Sequence, residues 1–107
     1  SSLDDRPQSS SGGAPRPIIL HGNYPNPFNS LTNIEFELYS WGTVNLIIYD
    51  IMGQKVLDLV SRRMPAGVNN AVWNGRDVDG TRVSSGVYLC EIKAGKFSAL
   101  KKLVLIR

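Results

Sequence analysis

The feature that most limits this chain is the spacing of its turn residues. From Ile18 onward, clusters of Gly, Pro, Asn and Asp break the sequence before any segment acquires capped helical periodicity. The runs between the breaks alternate instead. In Thr32–Leu38, Ile34, Phe36 and Leu38 fall on one side and Asn33, Glu35 and Glu37 on the other, the pattern of a half-buried strand. Six further runs read the same way: Ile18–His21, Thr43–Tyr49, Gln54–Val60, Val68–Asn74, Val87–Ala94 and Phe97–Ile106. In Thr43–Tyr49 the face opposite Val44, Leu46 and Ile48 carries Ile47 and Tyr49, so it too is expected to be covered. Seven short strands between tight turns predict an all-β, antiparallel sandwich.

The turns make individual expectations. Tyr24-Pro25-Asn26-Pro27-Phe28 holds two prolines that cannot donate to a ladder and that extend the residues before them. It reads as a structured turn pinned to the core by Tyr24 and Phe28, with the Asn26–Pro27 bond expected to be trans. Asp50 to Gly53 reads as a short hairpin loop, the Asp side chain bonding to backbone two residues on. Arg62 to Gly67 reads as a loop. Trp73 is the expected centre of the core. A buried Trp hides about 150–250 Å², on the order of 4–6 kcal/mol of transfer free energy.

The chain has 107 residues, enough for one core. No apolar run approaches the ~20 residues of a membrane helix. Ser1 to Asp5 has no basic region followed by an apolar stretch, and no initiator Met precedes it, so the expectation is a piece of a longer protein. Residues 1–17 read as a Ser/Gly/Pro linker that would span about 20–25 Å as a coil. Residues 18–107 are the expected folded domain. The net charge of +3 is spread, apart from Arg62-Arg63 and the final run. Without clustered aromatic platforms it does not predict a nucleic-acid partner.

Catalytic signals are sparse. Cys90, the single cysteine, lies in an alternating strand and reads as a small buried residue, with His21 too far along the chain to serve as its base. Asp77-x-Asp79-Gly80 superficially resembles a calcium loop, but it lacks the third alternate ligand and the later Glu, so a turn is the better reading and Asp77 and Asp79 are a weak metal candidate. No cofactor and no enzymatic activity is expected. Tyr39, Trp41 and Tyr49 form a candidate glycan platform, which would make the chain an accessory carbohydrate-binding module. A structural spacer is the remaining alternative.

The final run has a different character. From Lys93 on there are five basic residues and no acidic one. Lys101-Lys102-Leu103-Val104-Leu105-Ile106-Arg107 is expected to be an edge strand that a partner reads by main-chain pairing. The alternative is that Leu100, Leu103 and Leu105 merely close the core.

Several motifs together carry a resemblance. These are Tyr24-Pro25-Asn26-Pro27-Phe28-Asn29, Tyr49-Asp50-x-x-Gly53, Trp73-Asn74-Gly75-Arg76-Asp77-x-x-Gly80, Ser85-Gly86-Val87-Tyr88 and Lys101-Lys102-Leu103-Val104-Leu105. The chain from about Asn23 resembles the C-terminal sorting domain of type IX (Por) secretion cargo, and the related immunoglobulin-like domain of the flagellar hook-capping protein. The resemblance implies a seven-stranded, immunoglobulin-like Greek-key sandwich. It also implies an upstream cargo in the same chain, outer-membrane secretion-machinery partners and a sorting peptidase. The route would run from the periplasm across the outer membrane of a Gram-negative bacterium to the cell surface or beyond. Cleavage would fall between about Ser9 and Gly22, and the cargo would then be released or joined to surface lipopolysaccharide. Cys90 departs from the pattern, where an aromatic or other large residue is expected.

Overall fold

The computed structural model describes residues 18–107; the linker expected over 1–17 lies outside them. Seven strands follow one another: β1 Ile18–Tyr24, β2 Thr32–Leu38, β3 Gly42–Asp50, β4 Lys55–Met64, β5 Gly67–Trp73, β6 Gly86–Ala94 and β7 Phe97–Leu105. All pair antiparallel, in a three-stranded sheet β1-β2-β5 and a four-stranded sheet β4-β3-β6-β7. The fold is the expected immunoglobulin-like sandwich. Its fourth strand sits beside β3, not in the sheet of β1, β2 and β5 as in constant-type immunoglobulin domains. The Asp50–Gly53 connection is short enough to force that pairing: Asp50 Oδ1 accepts from the Met52 and Gln54 amides at 2.9 and 3.0 Å, closing the hairpin.

Alternation dictates the core. Ile34, Phe36 and Leu38 of β2 and Ala71 and Trp73 of β5 face Val44, Leu46 and Ile48 of β3, Cys90 and Ile92 of β6, and Leu103 and Leu105 of β7. Ile47 is also buried, on the outer face, as its side chain sits between β4 and β6. Trp73 is fully buried, flanked by Phe28 and Tyr88 with ring centroids 5.5 and 5.3 Å away, and its indole N–H donates to Arg76 O at 2.9 Å. Tilted and edge-on rings add to what area burial alone contributes.

Four expectations change. Tyr24 is 81% exposed and pins nothing; Phe28 alone enters the core. Thr32 does the rest of that work, donating to Pro25 O at 2.8 Å while accepting from Asn23 Nδ2 at 3.0 Å. The bonds Tyr24–Pro25 and Asn26–Pro27 are both cis. Arg62 to Met64 continue β4 because Met64 is buried opposite Gly42, so the loop is confined to the residues after it. Leu100 does not close the core: it is 59% exposed. Leu103 and Leu105 share a face by period two, and Leu100 lies on the other.

Candidate functional site: the end of the closing strand

The resembling motifs lie up to eighty positions apart, yet most meet at one end of the sandwich. β7 is an edge strand with β6 as its only ladder partner among the described residues. Its last residues are nevertheless covered. Asn26 Oδ1 accepts from Val104 N at 3.1 Å, Phe28 N donates to Val104 O at 2.9 Å, and Ile106 N donates to Phe28 O at 2.8 Å. The Pro25–Phe28 turn thus acts as a short added strand, with Phe28 bridged to Leu105 in parallel. Its prolines can stand there because an edge asks for few donors.

Arg107 completes the end. Its amide donates to Ser85 Oγ at 2.9 Å, and its guanidinium reaches two carbonyls, Val83 O through Nε at 2.7 Å and Gly75 O at 2.6 Å. Gly75 has φ +73, which favours glycine, and a Cβ there would stand 2.7 Å from the guanidinium, so a side chain would push the clasp aside. The segment that Arg107 grips is built by its own polar groups. Asp77 Oδ1 accepts from the Asp79 and Thr81 amides at 3.0 Å each, Arg76 donates to Gly80 O at 2.9 Å, and Val83 N donates to Gly75 O at 3.0 Å. Asp77 is therefore committed to a turn. Among the described residues no group of three acidic, His or Cys side chains is placed to hold a metal. Tyr88, beneath Trp73, donates from its hydroxyl to Ser84 O at 2.6 Å. Gly53 closes the β3–β4 hairpin and Gly86 opens β6 at this same end.

The residues expected to meet a partner divide into three groups. Leu103 and Leu105 are inside the core. Val104 and Arg107 have their main-chain or guanidinium groups taken up within the domain. Lys101, Lys102 and Ile106 are exposed. Because Val104 directs its N–H and C=O to the free edge, period two directs those of Lys102, Leu100 and Ser98 the same way. No described strand pairs with them. Lys101 lies on the inward side, its stem 4.0 Å from where a Cβ on Gly22 would be, at the bulge in β1. An inward-pointing lysine on an edge strand keeps a second edge from docking flat against it. Both lysines line a polar groove of about 550 Å³ with His21, Tyr24, Asn26 and Glu35.

The structure keeps Tyr39 and Trp41 exposed near one another but does not bring Tyr49 to them. Trp41 lies in the turn before β3 and Tyr49 near the far end of that strand, about 25 Å away at ~3.3 Å per residue. Burial pushes the Cys90 thiol up from 9.0 to about 12, which keeps it protonated and unreactive.

What spacing could not reveal is the role of Arg107 and Ser85. Each looks like an ordinary solvated residue in the sequence, and their contacts span more than twenty positions.

Fold and site together define an immunoglobulin-like sandwich whose closing strand is held at its end by a proline turn and an arginine clasp. The chain belongs to the family of secretion system C-terminal sorting domains, whose family model matches residues 23–106. It is similar to part of a solved structure of PorZ of Porphyromonas gingivalis, described as an essential bacterial surface component of the type-IX secretion system. Identity there is 27%, over 82% of this chain and 11% of that one, with a TM-score of 0.57. A structure of dimeric latent PorU from Porphyromonas gingivalis shares the fold at 18% identity, over 91% of this chain and 10% of that one, with a TM-score of 0.67. The chain thus spans about a tenth of either protein. A comparison with curated proteins gave no match.

Proposed function

We propose that this domain is the non-catalytic address of a type IX cargo, carried through the periplasm and across the outer membrane to the cell surface or exterior. Its partners would be outer-membrane proteins of the secretion machinery and a sorting peptidase that acts upstream of β1. The feature read would be the free edge of β7 from Ser98 to Lys102, together with Ile106. Lys101 and Lys102 would meet acidic groups of the partner. The observation that carries this reading is the family match over 23–106. The convergence of its motifs on the ordered end of β7 supports it. Main-chain pairing would give affinity and the lysines specificity.

The test is transplantation. Residues 18–107 are fused behind a periplasmically targeted fluorescent reporter in a bacterium with a working type IX system. Reporter at the cell surface or in the medium is expected. Reporter retained in the periplasm with the domain folded overturns the proposal.

A further inference from the structure

The end of the sandwich opposite the clasp carries its own exposed aromatics. Trp41 is 63% exposed and Phe97 49%. They line an apolar cleft of about 340 Å³ between the turn before β3 and the β6–β7 hairpin, with Leu38 and Ala94 beneath them. Phe97 also borders a second cleft, of about 380 Å³, that runs between Ile18–Leu20 of β1 and the start of β7. Ile18 is the first residue of β1 and pairs with Leu38, three residues before Trp41. Whatever precedes Ile18 therefore leaves the fold beside Phe97 and a few residues from Trp41.

The four residues before Ile18 are Ala14-Pro15-Arg16-Pro17. Alternating prolines preset an extended left-handed helix that loses little entropy on binding, and aromatic-lined grooves take such segments up by stacking on the pyrrolidine rings. At ~3.1 Å per residue the four reach about 12 Å, comparable with the ~10 Å between packed sheets that they would have to cross.

We propose that the Trp41–Phe97 cleft is the docking site of Ala14–Pro17 of the same chain. The docked segment would set the direction in which the polypeptide leaves the domain and would cover Trp41. This inference does not depend on the sorting role, because it rests on the Trp41–Phe97 cleft and the sequence before Ile18 and not on the family match.

The experiment is NMR on the full 107-residue chain, on a Pro15→Gly, Pro17→Gly double variant and on Trp41→Ala. The indole N–H of Trp73, buried and bonded to Arg76 O, reports that each variant is folded. Cross-relaxation between the Pro15 or Pro17 ring protons and the rings of Trp41 or Phe97 is expected, with a shift of the Trp41 indole signal in the double variant. Trp41→Ala should move the Arg16 amide to fast, coil-like relaxation. Two results overturn the proposal. One is absence of that cross-relaxation with an unmoved Trp41 signal. The other is a Trp41 signal that moves with protein concentration, which would give the cleft to a second copy of the chain.

Discussion

Trp73, Cys90 and Arg107 do three different jobs with three different physical means. Trp73 fills the centre and anchors its polar edge on Arg76 O, so Trp73→Ala should cost about 3–5 kcal/mol, read by urea denaturation. Trp73→Phe should cost less, since a ring stays against Phe28 and Tyr88 and the losses are the N–H donor and part of the buried ring volume. Cys90 gives a pH dependence of definite sign. Its folded value of about 12 lies above the unfolded 9.0, so the unfolded chain releases its proton first. The contribution is constant below about pH 9 and falls between about 9 and 12, by at most ~1.4 kcal/mol per pH unit. Stability curves for the native chain and Cys90→Val should therefore diverge only above pH 9, and thiol reagents should label Cys90 only on unfolding. Arg107→Lys keeps the charge but cannot reach two carbonyls with a planar fork. It should loosen residues 75–85 almost as much as Arg107→Ala, seen as faster amide exchange at Val83.

At the scale of elements, β7 carries the argument. Its terminal amides are paired on both sides, by β6 and by the Pro25–Phe28 turn. Val104 and Ile106 should therefore exchange slowly, whereas Lys102 and Leu100 should exchange fast. Asn26→Ala removes the acceptor of the Val104 amide, so it should cost about 1 kcal/mol and speed exchange at Val104 before Ile106. Lys101→Ile should remove the inward charge that protects the edge and raise the scattered light of concentrated solutions.

The strands themselves were legible in the sequence because each buried face repeats every second residue, as Ile34, Phe36 and Leu38 do. Trp73 and the Asp50 hairpin were legible for equally local reasons. Tyr24 was misread because aromatic character says nothing about which side of a turn a ring leaves from. The end of β7 was misread as open because Asn26 and Phe28 close it from nearly eighty residues away. Tyr49 does not join Tyr39 and Trp41 because sharing a stretch of sequence is not sharing an end of a strand.

For the molecule as a whole, the strand directions separate two ends. The chain enters at Ile18 beside Trp41 and Phe97, and its closing strand finishes at the other end, against the Pro25–Phe28 turn and residues 75–85. An upstream domain would thus attach at the end away from Ile106 and the arginine clasp, beside Ser98 where the free edge of β7 begins. This separation makes local and global effects distinguishable. A change at the far end, such as Ile18→Val, costs about 0.5–1.5 kcal/mol without touching the clasped end of the closing strand, and Arg107→Ala should cost about as much.

The most direct measurement compares these two variants, each in the reporter fusion carrying residues 18–107, for export and for thermal stability in parallel. At matched loss of stability, Arg107→Ala should lower the exported fraction while Ile18→Val leaves it unchanged. Equal export from both would contradict the claim that the closing strand is read only when its end is held in order.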